Sequence, residues 1–369
     1  MTGGVVAVHC GAGNFSQRTV TACLESMVGA IRAGQSALHS QTDPIPASDA
    51  CVNACAILED CPATNAGYGS NLTVNGTVEC EAGLMEGSTL GFAGVSCLET
   101  VKNPIYAAQA LFQHQNSFLN GLVAPIILSG PGAATLATQN GAGTCSNAQL
   151  IAPAARKNYH RALASINRHQ SAKQGRLDTV GAVALSLDGR AAAACSSGGL
   201  MLKLPGRQGQ ACHFGCGTWA RSLPLDPISV AVSVSGCGEH LIRTRFAETL
   251  GERARTAMNS ADDLCLSDIL NQTFEQLIGA EPQTSKTLTL DRRLAGALVL
   301  IWDSSARSGE LAWIHNTRSM LLGFGLPDGS VKTVYSQQNM NCDKIIKAYN
   351  GTEYNGPVLV ASVKIRPNC

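Results

Sequence analysis

Val5 to Val8 form an unbroken apolar run, which predicts a buried strand; the His-Cys-Gly-Ala-Gly that follows at 9–13 has glycines that permit a tight turn and close approach to a ligand. Val20, Cys23, Leu24, Met27, Val28 and Ile31 then recur at helical spacing, predicting an amphipathic helix with one stripe against a core. A second helix is predicted over Ala50 to Leu58. Gly and Asn punctuate residues 61–87, which reads as loop. A short strand near Phe92 to Leu98, a helix from about Pro104 to Gln113 and a buried strand at Pro125 to Leu128 complete the first half.

The apolar run Val180 to Leu187, the turn pair Asp188-Gly189 and the small-residue run Ala191 to Cys195 predict a hairpin. Strands are expected at Ile228 to Val234, Ala297 to Trp302 and Glu310 to Ile314, with helices over Glu239 to Leu250 and Asp262 to Ile278. Strands and helices come in blocks, not in a strict βαβ rhythm. This order favours sheets packed between helix layers over a doubly wound sheet.

Composition narrows the function class. The chain has 369 residues, of which 45% are hydrophobic and only 14% charged, against about 25% in typical globular chains. Its net charge of +1 supplies no long-range field for nucleic acid or acidic membranes, so the expected partner is a small molecule or a protein, with no direct nucleic-acid contact. Residues 1–9 lack a basic segment and no window reaches eighteen apolar residues, so neither a secretory signal nor a membrane span is expected. The expectation is an intracellular protein whose 15 cysteines are reduced, many of them serving as small core residues. Between 146 and 177 there is no acidic side chain, while Arg156, Lys157, Arg161, Arg168, Lys173 and Arg176 are basic. That segment reads as a solvated helix or linker, with a nuclear-import signal as the alternative.

Common catalytic constellations are missing: the chain has no Gly-x-Ser-x-Gly elbow, no phosphate-binding Gly-x-x-x-x-Gly-Lys-Ser/Thr loop and no His-Glu-x-x-His helix. Cys51, Cys55 and Cys61, and the cluster Cys212, His213 and Cys216, only loosely resemble metal ligands, because no second pair stands at zinc-site spacing. No metal or other cofactor is expected from these residues.

Four motifs stand in order between 176 and 240: Arg-Leu-Asp-Thr-Val-Gly-Ala-Val at 176–183, Cys-Ser-Ser-Gly-Gly at 195–199, Pro-Gly-Arg-Gln-Gly-Gln at 205–210 and Ser-Gly-Cys-Gly-Glu-His at 235–240. This combination resembles the asparaginase-like N-terminal-nucleophile (Ntn) hydrolases, and within them the threonine aspartases (taspases). His9 to Gly13 and Asn65 to Gly69 match the same family's pattern in the first half. The resemblance implies an α/β (α+β) fold, a four-layer αββα sandwich of the Ntn-hydrolase type. It also implies self-cleavage of the Asp178–Thr179 bond, giving an α-chain of residues 1–178, ending in the basic linker near 146–178, and a β-chain of residues 179–369. Two αβ units are expected to pair as (αβ)2. Relatives carry a sodium ion on the loop corresponding to 58–69, which is left open here.

Elementary chemistry agrees with that reading. A Thr hydroxyl is a weak nucleophile that needs a base, and a newly freed α-amine with a pKa of about 7.7–8.0 supplies one at neutral pH without a catalytic His. By the resemblance, Thr179 is the nucleophile, Asp178 the residue before the autocleaved bond, and Ser197 a hydroxyl that tunes the nucleophile. Arg207 can grip a carboxylate through two parallel hydrogen bonds. Gln210 stands where asparaginases of the family carry an Asp that neutralises a free amino-acid ammonium; an uncharged residue there favours a peptide substrate. Ser235 and Gly236 match the positions that supply oxyanion donors. Gly11 and Gly238 keep the walls close to the substrate, and Asn65 either positions the nucleophile or holds its loop. The expected activity is a threonine endopeptidase that cuts proteins after aspartate, its targets being nuclear transcription regulators such as trithorax-type methyltransferases and the transcription factor IIA precursor, so that the enzyme is nuclear and cytoplasmic. The alternatives are an L-asparaginase or isoaspartyl dipeptidase, and an inactive binding scaffold.

Overall fold

A computed structural model describes residues 4–39, 46–115, 122–167, 178–186, 188–259, 265–279, 293–338, 353–355 and 358–366. The opening apolar run lies within β1 (Val5–Gly13), buried along all but its last residue. The Ser16 hydroxyl accepts the Thr19 N–H (3.3 Å) and caps α1 (Gln17–Leu38), which buries Val20, Cys23, Met27 and Ile31 as the spacing predicts. Next comes α2 (Pro46–Glu59), rich in Ala and Cys and buried almost all round because it lies between α1 and the sheet below. Gly34 of α1 makes this approach possible: a Cβ there would lie 2.8 Å from Val6 and 3.0 Å from the Ala50 carbonyl. The first half continues through β2 (Cys80–Glu86), β3 (Gly91–Leu98), α3 (Pro104–Gln115), β4 (Ile127–Ser129), α4 (Gly130–Gln139) and α5 (Pro153–Asn167).

The second half opens with the predicted hairpin, β5 (Val180–Leu185) and β6 (Ala191–Ser197), turning at Gly189 with φ 82°. It proceeds through β7 (Thr218–Arg221), β8 (Ile228–Gly236), α6 (Gly238–Arg243), α7 (Phe246–Met258), α8 (Leu266–Phe274), β9 (Ala295–Asp303), β10 (Ser308–His315), β11 (Ser319–Gly325), β12 (Val331–Gln337), β13 (Glu353–Asn355) and β14 (Leu359–Ile365). One sheet runs β12-β11-β1-β5-β6-β2-β3-β4 and the other β13-β14-β10-β9-β8-β7. They face each other across an apolar core that includes Val183, Ala193, Val232 and Leu298. Helices α1 to α4 cover the outer face of the first sheet, while α7 and α8 cover the second, giving the expected four-layer αββα sandwich of the Ntn-hydrolase type. Phe246 and Phe274 meet edge to face at 5.5 Å and tie α7 to α8; truncating either to Ala would cost about 3–5 kcal/mol.

Several elements differ from the sequence reading. The stretch taken as loop contains β2, whose seven residues are all buried. Covered on both faces, β2 has no alternation to reveal it, and Gly83 is needed where the Ala211 carbonyl packs against the strand. The helix expected over 239–250 is two helices, broken at Arg245, which takes the left-handed conformation with φ 44°. The strand expected to be buried at 125–128 begins at Ile127 and is an edge strand, largely exposed. Helix 262–278 shortens to α8 followed by a π-helical turn over Glu275–Gly279, with 262–264 outside the described residues. Of the basic segment, 153–167 is the helix α5, whereas Arg168, Lys173 and Arg176 lie outside the described residues. Among the described residues no helix is long and apolar enough to cross a membrane, and no group of three or more metal-ligating side chains converges. Cys51 instead directs its thiol at the Ala192 carbonyl (3.4 Å), and the thirteen described cysteines are free thiols.

Candidate active site

β5 runs antiparallel between β1 and β6, so its first residues lie beside the end of β1 and the end of β6. Stacking of the second sheet adds the end of β8. Thr179, one residue before β5, therefore sits where three strand ends meet, only 3% exposed. Its hydroxyl donates to Ser197 Oγ (3.3 Å) and accepts from Gln210 Nε2 (3.0 Å). Its backbone N–H donates to Ser235 Oγ (3.2 Å), which also accepts the Ala12 N–H at 3.2 Å. Ser197 Oγ accepts the Gly199 N–H at 3.0 Å and is thereby held in place. Thus Thr179, Ser197, Gln210 and Ser235 come together as one buried set.

The glycines make room for the backbone. A Cβ on Gly11, whose φ is 104°, would lie 2.6 Å from Asp178 Cα, and one on Gly13 would lie 2.8 Å from Asp178 Oδ1. Asp178 is seated against β1 because neither residue has a side chain. A Cβ on Gly238 would meet both Arg207 Nη2 and Gln210 Oε1 at 2.9 Å, and Gly236 leaves a Cβ no space against the Leu294 carbonyl.

Asn65 is set back from the nucleophile. Its Nδ2 donates to the Gly199 carbonyl (2.9 Å), its Oδ1 accepts the Asn71 N–H (2.8 Å) and its own carbonyl accepts the Gly198 N–H (2.8 Å). Of the two roles open to it, these contacts are those of a residue that holds the 197–199 turn. Asn71, not singled out in the sequence, donates to the same Gly199 carbonyl at 2.9 Å. The 58–69 loop turns inward on itself: Thr64 Oγ1 donates to the Leu58 and Cys61 carbonyls at 2.8 and 3.0 Å, so protein donors already engage two of its carbonyls.

Arg207 presents a different environment. Its Nε and Nη2 donate side by side to the two oxygens of Glu239 at 2.9 and 2.8 Å. The Glu239 carboxyl is held below the usual carboxylate range: partial burial works against ionisation, and the Arg207 contact outweighs it. Glu81, on β2 opposite Ser197, is a second carboxylate beside this guanidinium; its Oε2 accepts the Gly209 N–H at 2.6 Å. Neither Glu81 nor Glu239 was singled out in the sequence. Glu239 is visible in its motif, but 32 residues separate it from Arg207 and only the fold joins them.

His9 lies on β1 beside the Thr179 backbone. Its Nε2 meets Ser233 Oγ at 2.9 Å, bridging the two sheets; since Ser233 donates to the Ala194 carbonyl, the imidazole is the donor in this pair. Burial lowers its pKa to about 4, with the Thr179 backbone pulling the other way, so the ring is neutral near pH 7. Among the described residues, the side chains that hydrogen-bond Thr179 are thus two hydroxyls and an amide. A hydroxyl held beside its own backbone nitrogen is suited to acyl transfer once that nitrogen is a free amine.

A cavity of about 810 Å³ lies elsewhere, along α5, between Ile151, Pro153, Arg156, Lys157, His160, Arg161 and Ala164. It shares no residue with the Thr179 set, and the chemistry stays with the buried strand ends.

A family model described as Asparaginase matches residues 2–332. The chain is 34% identical over 257 residues to the isoaspartyl peptidase of Escherichia coli, covering 66% of this chain and 74% of that protein. It is 30% identical over 266 residues to the isoaspartyl peptidase/L-asparaginase of Danio rerio, covering 71% and 80% respectively. With the plant-type L-asparaginase of Pyrobaculum calidifontis the identity is 31% over 334 residues, covering 87% and 97%.

Proposed function

The chain belongs to the asparaginase family of Ntn hydrolases, and from that premise we propose that it is an autoprocessing threonine endopeptidase, taspase-like, that cleaves proteins after aspartate. Thr179 attacks the Asp178 carbonyl, an ester forms by N-to-O shift, and water releases residues 1–178 from a chain that starts at Thr179. The amine so exposed then acts as base for Thr179 Oγ1 towards substrates. Ser235 and Gly236 line the oxyanion position, and Arg207 binds the substrate aspartate. The natural targets are protein substrates in the nucleus and cytoplasm, cut by an (αβ)2 assembly.

The observation that carries the reading is Gln210. A free amino acid brings an ammonium that needs a carboxylate partner, whereas the amide nitrogen of a peptide does not; here the residue touching Thr179 Oγ1 at 3.0 Å is a neutral amide. Asp178, seated between Gly11 and Gly13, adds support, since the processing site and an outside target would share the residue before the cut.

A second reading, L-asparaginase or isoaspartyl peptidase, is favoured by the names of the relatives above. The two are separated by giving the processed enzyme an aspartate-containing peptide and, separately, L-asparagine. Cleavage after the aspartate with little ammonia from asparagine is expected. Ammonia release without peptide cleavage would overturn the endopeptidase reading in favour of the second.

A further inference from the structure

Arg207 already holds a carboxylate of its own chain. Glu239 occupies the Nε–Nη2 edge, a guanidinium edge that offers a carboxylate two parallel hydrogen bonds, at 2.9 and 2.8 Å. Glu81 adds a second negative group: it is 2% exposed, and its Oε1 finds no donor among the described residues. The position a Gly209 Cβ would take lies 2.5 Å from Glu81 Oε1 and 3.0 Å from Arg207 Nη1, so carboxylate and guanidinium crowd the same point. The guanidinium therefore faces two carboxylates, with the Lys203 ammonium on its Nη1 side: a Gly199 Cβ would lie 3.1 Å from Lys203 Nζ and 3.2 Å from Arg207 Nη1. A substrate carboxylate that approaches the Nε–Nη2 edge meets Glu239 already bound there and competes with it.

The two acids differ in what they can do about it. Glu81 is sealed under the Gly209 backbone, whereas the Glu239 side chain is 42% exposed at the start of α6 and can swing into water at little desolvation cost. We infer that Glu239 is an internal surrogate for the substrate carboxylate: it holds the Nε–Nη2 edge of Arg207 and competes with the substrate for it, so that it weakens binding and sets a threshold for recognition. Glu239 is a specificity-determining residue that acts through Arg207. The inference rests on Arg207 binding a substrate carboxylate, as the proposed function has it, but holds equally for an aspartate side chain or for the α-carboxylate of asparagine.

The test uses processed enzyme and compares wild type with Glu239→Ala, Glu239→Gln and the double variant Arg207→Ala/Glu239→Ala. Two quantities are read: kcat and KM on a peptide with aspartate before the scissile bond, and calorimetric affinity for the product peptide ending in aspartate. Removing an internal competitor raises the fraction of available Arg207, so Glu239→Ala should lower KM about fivefold and tighten product binding to match, with the effect in KM and not in kcat. Glu239→Gln, which keeps a hydrogen bond but no charge, should fall between, and the double variant should lose the gain. A KM that is unchanged or raised in both single variants would overturn the inference, since Glu239 would then only be orienting Arg207. If Glu239→Ala does not accumulate, the isosteric Gln variant decides the matter by the same sign. An enzyme that hydrolyses asparagine but no peptide refutes the endopeptidase reading alone; the same KM comparison on asparagine then tests Glu239.

Discussion

Thr179 and Arg207 share one end of the sandwich and one loop partner, yet their surroundings are opposite in kind. Thr179 touches two hydroxyls and a carboxamide, all buried and uncharged. Arg207 faces two carboxylates, one of them half-exposed. On the proposed autocleavage, the reactivity of the hydroxyl at the neutral end falls to the freed Thr179 amine, since the side chains that hydrogen-bond the hydroxyl among the described residues are a hydroxyl and an amide. At the charged end, the inferred exchange of one carboxylate for another demands mobility. Fixed neutral geometry thus suits bond making, and a replaceable ion pair suits recognition.

This contrast breaks first at the nucleophile. Thr179→Val, nearly isosteric, should abolish processing and lower hydrolysis by at least about a thousandfold, read by denaturing electrophoresis and peptide assay. Arg207→Ala should leave processing of the chain detectable but lower kcat/KM on aspartyl peptides about a hundredfold, mostly through KM, because a hydrogen-bonded charge contact is lost. At the neutral end, Ser197→Ala should slow kcat about tenfold with little change in KM, since it removes the acceptor of the Thr179 hydroxyl. Gln210→Asp should sharpen the comparison by placing charge in the neutral set: the ratio of asparagine to peptide hydrolysis should rise about tenfold, measured by ammonia release against peptide cleavage.

A further effect concerns stability. Burial holds both His9 and His315 at a pKa of about 4, below the unfolded value of 6.5. The unfolded chain therefore takes up protons first, and each histidine removes stability as pH falls from 6.5 towards 4, by about 3 kcal/mol when complete. Glu59 runs the other way. Burial raises it to about 8, so its contribution is present at low pH and declines as pH rises from the unfolded value of 4.5 through 8. Urea unfolding at pH 7.5 and 5 should show His315→Gln losing less stability on acidification than wild type, and Glu59→Gln losing more.

Much of the site was legible because its parts are short and local. The turn-forming glycines after β1, the hairpin around Asp188-Gly189 and the run holding Asp178-Thr179 each announce themselves within a few residues. The layered fold was legible from the blocks of strands and helices. What failed to show was what tertiary packing decides. β2 is central and covered on both faces, so it lacks alternation, and the break at Arg245 lies inside continuous helical spacing. Glu81 and Glu239 carry no local sign of their role, since a carboxylate becomes a partner of Arg207 only when β2, the 205–210 loop and α6 are brought together.

Everything proposed for Thr179 depends on the exposure of its amine. The most direct measurement is intact mass and N-terminal sequencing of the purified full chain during incubation at neutral pH. Conversion to two fragments, one beginning at Thr179, with none from the Thr179→Val chain, is the predicted result. A chain that stays whole while hydrolysing substrate, or one cut at another residue, would contradict it.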